Sequence, residues 1–111
     1  MSYMSYKNII TNVENLDLDE IKTNEECHKF YNLIIYAYDH QKMNFLYSQL
    51  EMKWAEYNSN NKNQMSPLIV ILGYVDEFAL KYMNKDYNIF KRSYNDLEDK
   101  CRTKNLIQFD M

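Results

Sequence analysis

The stretch Thr23-Asn-Glu-Glu-Cys-His-Lys-Phe-Tyr-Asn-Leu-Ile-Ile-Tyr-Ala-Tyr38 decides the fold class. Thr23 and Glu26 stand at the spacing of a capping box, in which the Thr oxygen takes an orphan N–H and the Glu turns back to the cap. Behind that signal Cys27, Tyr31, Ile34 and Tyr38 recur every three or four residues, the period of one helix face. Phe30, Leu33 and Ala37 widen the stripe, and Tyr36 lies further round. The spacing therefore predicts a helix over residues 24–38 with apolar character on more than one side.

Downstream, Asp39-His40-Gln41 reads as a break, with Asp39 capping a further helix over 41–57. The stripe of that helix is Met43, Leu46, Leu50, Trp54 and Tyr57. An unbroken rod over 24–57 would be about 50 Å long. A chain of 111 residues would struggle to cover it without dimerising, so two helices are expected. Residues 58–65 are a long polar loop, and Ser66-Pro67 announces the next helix: Ser at the cap, and Pro at the first helical position, where its missing donor costs nothing. That helix, 67–83, is the most apolar, with Leu68, Leu72, Val75, Ala79 and Tyr82 on one seam and Ile71 and Phe78 on another. Asp86 caps a last helix over 87–102, striped by Tyr87, Phe90, Tyr94, Leu97 and Cys101. The tail carries Leu106, Ile107 and Phe109.

Upstream, Tyr3, Tyr6, Ile9, Ile10 and Val13 predict a short N-terminal helix over 2–14. Residues 15–20 alternate like a strand but have no second strand to pair with, so they read as a connector. The sum is one all-α domain over 1–111: four main antiparallel helices plus the short N-terminal one, in a bundle. Composition agrees. One Gly and one Pro in the whole chain cannot furnish the turns of hairpins, sandwiches or phosphate-cradling loops.

The net charge of −3 gives no electrostatic footprint for a phosphate backbone, so no nucleic-acid partner is expected. The longest aliphatic run is Leu68–Leu72, too short for a membrane span of about 20 residues. With no apolar leader and only Cys27 and Cys101 as thiols, a reduced, cytoplasmic protein is expected. The bias towards Asn, Lys, Tyr and Ile, with Arg92 and Arg102 the only arginines, fits an AT-rich genome, as found in some bacteria, their phages, large DNA viruses and some protists.

Chemistry-bearing patterns are sparse. Glu25-x-x-His28 is half of a bundle-type di-metal signature, and the second pair it would need is absent from the sequence. Cys27, His28, His40 and Cys101 lack paired-ligand spacing for zinc. No metal, no cofactor and no enzymatic activity are expected. Asp76 interrupts the most apolar helix and needs a donor such as Arg92, a Lys or a Tyr hydroxyl. The 11 tyrosines are the most suggestive feature, because Tyr offers large amphipathic contact area at low entropy cost. Tyr36, Tyr47, Tyr74 and Leu33 sit off the main stripes, and with Asp76 they are the expected partner-binding residues. In general character the chain resembles small helical immunity proteins, antitoxins and phage-encoded inhibitors, although it shares no motif with them. A non-enzymatic module that occludes a partner protein is the expected function, with a self-associating homodimeric scaffold as the alternative.

Overall fold

Residues 2–60, 68–83 and 87–103 are described by a computed structural model, and every regular element among them is helical. The helices are α1 (Ser2–Glu14), α2 (Asn24–Asp39), α3 (Met43–Asn60), α4 (Leu68–Tyr82) and α5 (Tyr87–Thr103), with a 3₁₀ turn at Leu18–Glu20. α2 packs against each of the other four. Its Phe30, Ile34 and Ala37 are fully buried, joined in one core by Ile9 of α1, Leu46 of α3, Leu72 of α4, and Phe90 and Leu97 of α5.

α2 begins as its capping signal requires, with the Glu26 N–H donating to Thr23 Oγ1 at 3.3 Å. The reciprocal arm goes elsewhere. The Thr23 N–H already donates to the Glu20 carbonyl, which frees the Glu26 carboxylate to accept the Asp17 N–H at 2.8 Å. Its other oxygen faces the Lys29 ammonium at 2.9 Å, an ion pair without hydrogen-bond alignment. Glu26 is buried, so the capping residue ties the connector to the helix it starts. The connector is itself part of the core, since Leu16, Leu18 and Ile21 are buried while Asp17 Oδ1 caps the 3₁₀ turn.

The break after α2 is real, but Asp39 does not cap the next helix. It is the last residue of α2, and α3 begins at Met43. Gln41 adopts a left-handed φ of 56°, its N–H donating to the Tyr38 carbonyl and the Lys42 N–H to the Ala37 carbonyl. That pair of bonds is a Schellman motif, which normally places Gly at the left-handed position. α3 continues past Tyr57 to Asn60. The rest of the expected 58–65 loop, the Ser66-Pro67 start, the Asp86 cap and the tail lie outside the described residues.

α1 runs beside α3 in the same direction. Tyr6 meets Phe45 edge-on at 4.7 Å near one end, and at the other the Lys53 ammonium donates to the carbonyls of Val13, Glu14 and Leu16. These carbonyls belong to or follow the last turn of α1, where intrahelical donors run out, and a cation there also suits the helix dipole. Burial lowers the Lys53 pKa, against the pull of Asp17, Glu56, Glu26 and Glu14. α4 and α5 form a hairpin joined by Asp76, which accepts from Tyr87 and Lys91.

The Gln41 geometry yields a stability prediction. A left-handed conformation costs an L-residue about 1–2 kcal/mol, whereas Gly adds roughly 0.5–1 kcal/mol of unfolded-state freedom. Gln41→Gly should therefore raise the unfolding free energy by about 0.5–1 kcal/mol, read as a higher urea midpoint with unchanged slope. A lower midpoint would contradict the cap assignment.

Candidate interaction surfaces

The five residues singled out from the sequence fall in different places. Leu33 is 3% exposed and Tyr47 7%. Both are core residues, which corrects the expectation that they face outward. The cause is the coverage of α2 on several flanks, which turns its wide apolar stripe inward, and the packing of α3 against α5. The Tyr47 hydroxyl lies 3.5 Å from Glu51 Oε2.

Tyr36 and Tyr74 are half-buried. The Tyr36 hydroxyl accepts from Asn8 Nδ2 at 2.9 Å, pinning α1 to α2, and its ring stacks on His40 at 4.1 Å. Tyr74 lies on α4 with the Lys22 ammonium 5.9 Å from its ring centre. Asp76 is satisfied by two donors, the Tyr87 hydroxyl at 3.0 Å and the Lys91 ammonium at 3.2 Å. Burial, followed by the hydrogen bond to Asp76, raises the Tyr87 pKa. For Lys91 burial pulls the pKa down, but the Asp76 hydrogen bond and charge outweigh it and the net shift is upward. Asp76 thus clamps the α4–α5 hairpin. The structure brings Tyr74 and Asp76 onto one helix but does not gather the five residues into one site.

Two exposed apolar surfaces occur instead. On α1 the core side is Ser5, Ile9 and Val13, while Tyr3 is 74% exposed and Met4, Tyr6 and Ile10 are also exposed. Tyr3, Tyr6, Ile9, Ile10 and Val13, whose spacing predicts this helix, fall on two of its faces, with only Ile9 and Val13 turned to the core. Met52 of α3 is exposed as well. On α4 the outward residues are Val70 at 43% and Leu80 at 54%. Gly73 lies between them, and a Cβ added there would meet nothing within 4 Å. Tyr82, expected on the core seam, is half exposed beside Phe78, with the Lys81 ammonium 5.3 Å from its ring.

Concave features are shallow. One of about 500 Å³ between the α2–α3 turn and α5 is lined by Tyr38, Asp39, Gln41, Met43 and Asn44, with the Asp96–Lys100 ion pair across it. Another of about 310 Å³ lies between α1 and α3. Among the described residues no three His, Cys, Asp or Glu side chains converge on a point that would hold a metal ion. Glu25 and His28 are both exposed, and the His28 ring lies 5.9 Å from Phe78. No helix among the described residues is long and apolar enough to cross a membrane.

Both thiols are buried. Cys27 Sγ donates to the Ile21 carbonyl, and burial, aided by the Glu26 charge, raises its pKa. Burial, with Glu51 and Glu98 nearby, pushes Cys101 up to about 12. Because the thiolate is the nucleophile, neither thiol should react with a disulfide reagent at pH 8 in the native protein, and both should react in denaturant. Rapid native labelling of Cys101 would contradict its placement.

No family model, no curated protein and no solved structure matches this chain.

Proposed function

We propose that the chain is a non-enzymatic helical module that binds and occludes another protein, as an inhibitor or immunity factor does, and that it docks through the outer face of α4. The observation that carries this reading is the exposure of Val70 and Leu80 on either side of the open Gly73 backbone, on the most apolar helix of the fold. Exposed apolar area is stabilised by about 25 cal/mol per Å² when a partner covers it. The glycine lets a partner side chain approach the helix axis. Tyr74, half-buried beside the face, adds aromatic area of the kind enriched at interfaces. The commitment of Asp76 to Tyr87 and Lys91 supports the non-enzymatic reading, because it gives the best polar candidate a structural task.

The second reading, a self-associating scaffold, draws on the exposed outer residues of α1.

The α4 face is tested by capture from host lysate, comparing the tagged wild-type protein with Leu80→Glu. Burying an unpaired carboxylate at a hot spot costs about 2 kcal/mol or more, roughly 30-fold in affinity. A stoichiometric partner should be lost from the variant while its helicity stays unchanged. Equal recovery by both proteins would remove α4 as the docking face.

A further inference from the structure

α1 and α3 share an outer face whose charges, apart from the Lys53 ammonium spent on the carbonyls at the end of α1, are sorted along its length. At the end where both helices begin, Lys7 is exposed and the Lys42 ammonium lies 5.0 Å from the Tyr6 ring centre. At the opposite end Glu14 and Glu56 rim the 310 Å³ depression together with Val13, Gln49, Met52 and Lys53. Because the helices run in the same direction, their macrodipoles add, with the positive end on the lysine side. Ile10 lies between the charged ends, Met52 is exposed on the acidic side, and Tyr3 and Tyr6 lie towards the basic end.

We propose that this face binds a second copy of the chain, with α1 lying antiparallel on the α1 of its copy. The proposal rests on the second reading, self-association, and deepens it; it does not use the α4 face. A two-fold contact is isologous, so the surface must complement itself. A two-fold axis lying in the interface and crossing α1 at Ile10 and α3 at Gln49 meets that condition. Lys7 precedes Ile10 by three residues and Glu14 follows it by four, so each Lys7 comes opposite the copy's Glu14. Lys42 and Glu56 stand seven residues either side of Gln49 and meet in the same way. The rotation also carries the aromatic Tyr6–Phe45 end of one copy over the depression of the other.

The competing two-fold, with its axis along the helices, would stack lysine on lysine and glutamate on glutamate. Helix dipoles would then oppose as well, so sign alone selects the antiparallel form. Size sets the strength. Two helices of about 20 Å, spaced about 10 Å apart, give a contact smaller than stable interfaces, in the range of weak, transient ones. The dimer is therefore weak and forms with rising concentration.

Sedimentation velocity of the full chain over a concentration series into the high micromolar range tests this, using Lys7→Glu, Glu14→Lys, the double exchange and Ile10→Asp. All three sites are solvent-exposed, and circular dichroism checks that each variant is folded. The wild type should move to dimer mass with rising concentration. Each single reversal should weaken association about tenfold (about 1.4 kcal/mol), the double exchange should recover most of it, and Ile10→Asp should abolish it. Leu80→Glu should leave the dimer intact, so failure here is distinguishable from failure of the α4 reading. A wild-type monomer at every concentration overturns the proposal, as do single reversals without effect or a double exchange that fails to rescue.

Discussion

The fold depends on the burial of α2 by four neighbours at once. Phe30, Ile34 and Ala37 are fully enclosed, and Cys27, Tyr31 and Leu33 nearly so. A helix surrounded in this way gives α1, α3, α4 and α5 a common apolar target, and they complete the core by packing on one another. Their outer surfaces are then free to vary, and α4 and α1 use that freedom to carry apolar side chains in solvent. The same enclosure explains why the left-handed Gln41 is tolerated. The turn must reverse the chain within a few residues to lay α3 back along α2, and the packing of both helices holds it there.

Two partly or wholly buried charges fix the way α1 joins this centre. Glu26 accepts the Asp17 N–H, and Lys53 donates to three carbonyls at the end of α1. Either ion would be costly to bury alone, and each is instead aimed at backbone groups that the end of α1 and the connector leave without partners. Lys53 belongs to α3 and Glu26 to α2. The short first helix is thus held by both neighbours in addition to its apolar side, with the Asn8–Tyr36 bond as a further attachment.

Element positions were legible in the sequence because they rest on local signals. Thr23 caps α2, residues 39–41 break the chain, and apolar spacing places all five helices within a few residues of where they occur. The all-α class followed from the shortage of Gly, which is a global property and robust to local error. Faces were much less legible. Periodicity gives the phase of a stripe but not how many neighbours a helix has, so Leu33 and Tyr47 looked like surplus surface and proved to be core. On α1 the error ran the other way. Ser5 takes a buried position, and the larger Tyr3, Met4 and Ile10 are left outside, an inversion that no propensity scale contains. The role of Glu26 was half visible, since its capping spacing is local while its bond to Asp17 depends on the path of the connector.

The two exposed apolar surfaces differ in a way that bears on what each can bind. The α4 face has Val70 and Leu80 on one helix, with Glu77 exposed between them. An antiparallel copy centred on that helix would bring Glu77 towards its own equivalent, so the face is poorly matched to itself and better suited to a different protein. On the α1–α3 face Lys7 and Lys42 stand at one end and Glu14 and Glu56 at the other, where the Lys53 ammonium is spent on backbone carbonyls, so reversal produces a match. Charge order along a helix pair thus separates a surface for self-contact from one for a foreign partner where hydrophobicity alone does not. Because α1 packs on α2 and α3 while α4 packs on α2 and α5, the two surfaces belong to different helix pairs. A dimer through the first would leave the second free on each copy, giving a particle with two equivalent α4 faces.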